Sequence, residues 1–287
     1  PDFYIAMGDD FSVDTLDATT ITEAQVRGRY TLQRPYFSTV ARRASLFLVN
    51  GNHEQAAQYL LNGRFITPYG NAPIYEGKAR TTYFPLPSND GFYSADATQV
   101  TGVGLLRDYY AFTWGDALFV TIDPYWHAPH MPETSVYNGD VGANGKNANI
   151  WDATMGDEQY AWLKQTLETS QAKYKFVFTH HLNGTGRGGA SNVTAGEWGA
   201  STADFQAHRP GWAKPVHQLL ADTKVTIFFQ AHDHLFAREV VDGVVYQGVP
   251  NPGDNSYFAY NCDAYAPPAA RPSALTAARW PASRRFC

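Results

Sequence analysis

Ser45-Leu46-Phe47-Leu48-Val49-Asn50-Gly51-Asn52-His53-Glu54 is the stretch on which the reading of this chain turns. An apolar, β-prone run that empties into Gly-Asn-His predicts a buried strand followed by a tight turn. The turn sets an amide oxygen and an imidazole at the carboxyl end of the strand. In open α/β sheets ligands bind at that edge, because the loops there are free to converge. Three other apolar runs end in the same manner. Residues 3–7 run into Gly8-Asp9-Asp10, residues 175–179 into His180-His181, and residues 225–229 into Ala231-His232-Asp233-His234.

Working outward, residues 22–44 carry helical spacing, with Val26, Tyr30, Phe37, Val40 and Ala41 at inward positions. A helix is expected over 55–62, and a loop-like pattern dense in Pro, Gly, Asn and Tyr over 63–104. Residues 109–114 and 117–123 flank Gly115-Asp116 and predict a hairpin. The excursion 124–151 is long enough to be functional. Thr154 to Asp157 reads as a capping box opening a helix with Tyr160, Leu163 and Leu167 on one face. A further helix is expected over 212–220, with His217 packed on it, and Asp242-Gly243 signals another hairpin. Asp10, Asp14 and Asp123 read as caps or turn residues, and His127 and His130 as solvated loop. Strands alternating with helices predict an α/β domain over 1–265, and the Pro/Ala/Arg-rich residues 266–287 an irregular tail.

Composition narrows the partners. The 287 residues are 17% charged with a net charge of −5, so there is no basic field for nucleic acid or acidic membranes. No run of about 18 apolar residues exists to span a bilayer. Two cysteines, Cys262 and Cys287, do not make a disulfide framework. Scarce Lys with abundant Tyr, Trp and Asn leans towards an exported bacterial protein. The chain opens on Pro1-Asp2-Phe3, already entering a strand, so an upstream portion is expected.

Asp, Asn and several imidazoles at strand ends supply mixed oxygen and nitrogen ligands, a set suited to Mn, Zn or Fe rather than to a Ca or Mg cage. In an extended chain His232 and His234 would share one face, whereas adjacent His180 and His181 would point oppositely. The ordered set Gly8-Asp9, Gly51-Asn52-His53-Glu54, His180 and His232-x-His234 resembles the calcineurin-like metallophosphoesterase superfamily, which includes purple acid phosphatases. The resemblance runs from about Pro1 to Tyr257. It implies two mixed sheets packed as a sandwich flanked by helices, a four-layer αββα arrangement. It also implies two metal ions bridged by Asp9, one completed by Asn52, His180 and His232, the other taking His234. His53 would lie beside a small phosphoester substrate as general acid or phosphate donor, with His181 at the substrate. Arg187 is open between a phosphate clamp and an exposed loop residue.

Three departures from that pattern matter. The superfamily's opening Asp-x-His motif is absent, Ala231 stands where a Gly is usual, and Ser12 stands where purple acid phosphatases carry their metal-binding Tyr. Without the opening motif, the chain as given is expected to hold at most one metal tightly and to hydrolyse phosphoesters poorly. Rival chemistries fail on spacing. A zincin motif would need His at Ala57, and a metallo-β-lactamase motif would need Asp and His at Phe236 and Ala237. No Gly-x-Ser-x-Gly elbow occurs. The alternative is a degenerate relative that binds a phosphorylated ligand or a protein partner without turnover.

Overall fold

The computed structural model describes residues 1–13, 16, 20–54, 71–123, 128, 150–152, 154–181, 193, 195–199 and 201–251. Along the chain these form β1 (Phe3–Ala6), α1 (Glu23–Ala41), β2 (Ser45–Leu48), α2 (Ala72–Tyr83), β3 (Ser94–Ala95), β4 (Gln99–Val100) and β5 (Gly104–Leu105). Then follow β6 (Tyr110–Trp114), β7 (Ala117–Thr121), a 3-10 turn (Ile150–Asp152), α3 (Gly156–Thr169) and β8 (Tyr174–Phe178). The last are α4 (Gly196–Gly199), α5 (Thr202–His208), α6 (Val216–Asp222), β9 (Ile227–Gln230), β10 (Ala237–Val241) and β11 (Val244–Gly248).

A mixed seven-stranded sheet runs β10-β11-β9-β8-β7-β6-β3, and β1 pairs in parallel with β2 in a second, smaller sheet. Period-two alternation lets each strand serve two layers. On the large sheet Phe112 and Phe119 point towards the small one, where Phe3 meets them at ring-centroid distances of 5.5 and 4.9 Å. Phe47 stacks on Phe112 at 4.5 Å. The opposite faces bury against helices. Val120, Val177 and Phe228 join Leu163 and Leu167 of α3 and Leu219 and Leu220 of α6. Ala6 and Leu48 join Val26 and Tyr30 of α1 and Ala79 of α2. The layers are therefore helix, sheet, sheet, helix, in the four-layer order the resemblance implies.

Both hairpins form: β6 pairs antiparallel with β7 and β10 with β11, the second closing through Asp242 and Gly243, both at positive φ. Thr22 caps α1 in a reciprocal box with Gln25. Four local expectations give way. Residues 63–104 are not uniformly loop, because α2 lies within them. Its interior is Ala, Gly and polar residues, so no apolar stripe announces it, and Pro73 in its first turn suits a helix start. Thr154 forms no capping box; its hydroxyl accepts from Gly156 N–H at 3.0 Å. The helix expected over 212–220 begins at Val216 instead. Asp123, expected as a cap or turn residue, is a fully buried tether between strands and accepts from Asn50 Nδ2 at 2.9 Å. His217 packs as expected, with Nδ1 2.6 Å from the Tyr246 hydroxyl. The helix expected over 55–62, Asp14, His127, His130 and the tail 266–287 lie outside the described residues.

Candidate metal centre

The parallel strands β1, β2, β8 and β9 end at one edge, where the two sheets meet. Gly8, at φ +92°, lets that edge close: a Cβ there would lie 2.8 Å from His180 Nδ1 and 2.9 Å from Gly51 N. His180, just past β8, crosses the junction. Its Nδ1 lies 2.7 Å from Met7 O, and a carbonyl can only accept, so Nδ1 carries the proton. Nε2 is thereby aimed at Asp9 Oδ2, 2.8 Å away. A backbone partner on one ring nitrogen fixes the tautomer that presents the other to a metal.

Around this pair the acceptors crowd together. His232 Nδ1 is 3.3 Å from His180 Nε2. The Asn52 amide position occupied by oxygen lies 3.3 and 3.2 Å from the Asp9 carboxylate oxygens and 2.9 Å from His232 Nδ1. Exchanging that oxygen for the amide nitrogen would turn these into hydrogen bonds. With the oxygen facing inward, a carboxylate, a carbonyl oxygen and two imidazole nitrogens converge as a cation requires. The donor set fits Mn, Zn or Fe, with mixed oxygen and nitrogen ligands.

The structure sorts the remaining candidates. His181 does not point away from its neighbour: ligand atoms of His180, His181 and His232 lie within 4.8 Å of one another, and the His181 ring stacks on His232 at 3.8 Å. The chain has left the strand at Phe178, so alternation no longer governs these side chains. The same holds for His232 and His234, at φ +61° and +54° beyond the end of β9; they are not neighbours on an extended strand, and His234 is not in the histidine trio. His53 stands at the rim with its side chain 39% exposed, Nε2 3.9 Å from Asp9 Oδ2, while its N–H donates to Asp9 Oδ1 at 3.1 Å. Arg187 lies outside the described residues.

One residue stayed without a role at the level of sequence. Glu54 is buried, and its carboxylate accepts from the N–H groups of Asp9 at 2.9 Å, Gly51 at 2.7 Å, Phe11 at 2.9 Å and Asp10. Its place in the Gly-Asn-His-Glu run was the only available signal. Burial pushes the Asp9 carboxyl up, but the charge and hydrogen bond of His180, aided by His53 and His232, hold it well below the usual carboxylate range. Burial pulls His180 down, and Asp9 more than reverses this, leaving the imidazole above its ordinary value. Burial and the nearby Glu54 charge push Asp10 up to about 7.

No family model matches the chain, and no curated protein matches it. Among solved structures the chain is similar to PhoD, with 14% identity and a TM-score of 0.51 over 87% of this chain and 50% of that one. It is also similar to the purple acid phosphatase PPD1 of yellow lupin (Lupinus luteus) seeds, at 13% identity and a TM-score of 0.48 over 90% and 40% of the two chains. A putative 5′-nucleotidase from Staphylococcus aureus matches at 14% identity and a TM-score of 0.37, over 86% and 39%. The chain spans half or less of the length of each. The PhoD likeness shows the fold alone, a mixed α/β architecture of a large sheet with helices.

Proposed function

We propose that the chain is a metal-dependent hydrolase of small phosphate esters, monoester or diester. The observation that carries this is the convergence of Asp9, Asn52, His180 and His232 at the joined carboxyl edges of two sheets. Mn, Zn or Fe in such a centre supplies Lewis-acid polarisation of a phosphoryl oxygen and a nucleophile at neutral pH.

The chain's own residues divide the work. Asp9, Asn52, His180 and His232 would hold the first ion, and Asp9 with His234 would serve a second. His181, whose ring stacks on His232, would lie at the substrate. His53 is exposed enough to meet substrate, and near enough to Asp9 to stay oriented. It would give its proton to the leaving oxygen, a contribution of roughly 10²–10⁴-fold in rate. Arg187 is proposed as a clamp on a phosphate oxygen, through its planar fork. Low Lys content with many Tyr, Trp and Asn supports an exported setting. Among the described residues no helix is long and apolar enough to cross a membrane.

The test is turnover of p-nitrophenyl phosphate and bis(p-nitrophenyl) phosphate with added Mn or Zn, for the parent and for His53→Ala. The parent should turn over at least one ester. The variant should keep its bound metal, lose about 10²–10⁴-fold in kcat and change KM little. Metal loss in step with activity would remove His53 from the proton-donor role. Metal uptake with no turnover of either ester would leave a non-catalytic phosphate-binding protein instead.

A further inference from the structure

We propose that Glu54 is a positioning residue: its buried carboxylate pins the Asp9 turn to the Gly51 turn and so sets the Asp9 carboxylate before any metal arrives. The inference rests on the reading of Asp9 as a metal ligand. Each oxygen of Glu54 takes two amides. Oε2 accepts from Asp9 and Gly51 at 2.9 and 2.7 Å, and Oε1 from Phe11 at 2.9 Å and from Asp10. Three successive N–H groups aimed at one carboxylate form an anion-binding concavity. They converge only because Asp9 adopts φ +61°, a left-handed conformation that a non-glycine residue seldom takes without support.

Both turns are built for close approach. A Cβ on Gly51 would collide with Asp9 Oδ1 and Asp9 N, and would sit 2.6 Å from Glu54 Oε2. Behind this contact Phe11 anchors the strand exit, stacked on Tyr30 at 4.2 Å. Glu54 thus does what α1 and β2 cannot do by packing alone. It satisfies three amide donors of the Asp9 turn and one of the Gly51 turn. The acid is needed in its carboxylate form. A carboxamide of the same shape keeps one oxygen, and its NH2 must face two N–H groups whichever way it is turned.

The experiment pairs residue-resolved amide hydrogen exchange on the metal-free chain with calorimetric titration of Mn and Zn, on the parent, Glu54→Gln and Glu54→Asp. In the parent, the amides of Asp9, Asp10, Phe11 and Gly51 should be protected without metal. In Glu54→Gln they should exchange at least about tenfold faster, with β8 and β9 unchanged, and metal affinity should fall by about 10–100-fold. Glu54→Asp keeps the charge on a shorter stem, so it should recover part of both effects, and it serves if the Gln variant fails to fold. Open-loop exchange of these amides in the parent overturns the proposal. So does acceleration spread evenly over all strands, or Glu54→Gln binding metal as tightly as the parent. If the parent takes up neither ion while the four amides are protected, the metal reading itself has failed, and the exchange data separate that from failure of the clamp.

Discussion

His180 has both ring nitrogens committed, Nδ1 to Met7 O and Nε2 to Asp9, and a proton and a metal must compete for Nε2. Burial disfavours its charge, but Asp9 outweighs this and raises its pKa. A raised histidine contributes stability that is full below about pH 6.5 and is lost as pH rises through the folded value. Asp9 is depressed, so its share is present above about pH 3.9 and is lost as pH falls through its lower folded value. The metal-free pair therefore contributes most between about pH 4 and 6.5. Metal affinity has the opposite slope. Below the raised His180 value it should fall about tenfold per pH unit, because one proton must leave per ion bound, and above it the dependence should flatten. Calorimetry in buffers of different ionisation enthalpy counts that proton; a titration flat from pH 6 to 8, with none released, would exclude His180 as ligand. His180→Ala should abolish the slope. At this scale Asp9, Asn52, His53, His180 and His232 were all legible in the sequence as candidates, and the structure brings them together. Glu54 was not, since three of the four amides it accepts are 43–45 residues away.

The helix α2 ties the outer layer to the ligand turn. Buried Arg80 donates from Nη1 to Asn50 Oδ1 at 2.7 Å and from Nη2 to Leu48 O at 3.0 Å. Asn50 passes the tether on to Asp123 at the end of β7. One side chain thus links α2, the exit of β2 and the large sheet, directly before Gly51-Asn52. Beside it, burial and the charges of Asp123 and Asp96 push the Asp108 carboxyl well above its ordinary range. Arg80→Leu removes two charge-assisted donors and should cost about 3 kcal/mol. Urea unfolding should show a lower midpoint with an unchanged slope. A cost under about 1 kcal/mol would mean that small-residue packing of α1 on α2 holds the layer without Arg80. The same construction explains why α2 escaped the sequence. A helix held by buried polar contacts and by Ala and Gly at its interface carries no apolar period, whereas α3, with Tyr160, Leu163 and Leu167, carries one plainly.

Across the whole molecule, the candidate centre belongs to two sheets at once. Asp9 and Asn52 follow strands of the small sheet, and His180 and His232 follow strands of the large one; between them lies the aromatic layer of Phe3, Phe47, Phe112 and Phe119. A metal joining these edges binds only the folded arrangement, so it should stabilise the whole. At a free-ion concentration about 100 times Kd the gain is about 2.7 kcal/mol. For a chain of this size that is roughly 5–10 °C in Tm. Calorimetric scans before and after chelation, with Mn or Zn restored, measure it; no shift at saturating metal would mean the ligands do not bind across the two sheets. The sequence alone determined the alternation of strands and helices, the two hairpins and the candidate ligand residues, because these rest on local periodicity, on turn chemistry and on what each side chain can donate. The tertiary structure alone decided which ligands meet. Once the chain leaves a strand, alternation ceases to predict direction. The return of His181 onto His232 joins the exits of β8 and β9, the capture of four amides by Glu54 joins the exits of β1 and β2, and the approach of His180 to Asp9 closes one sheet on the other.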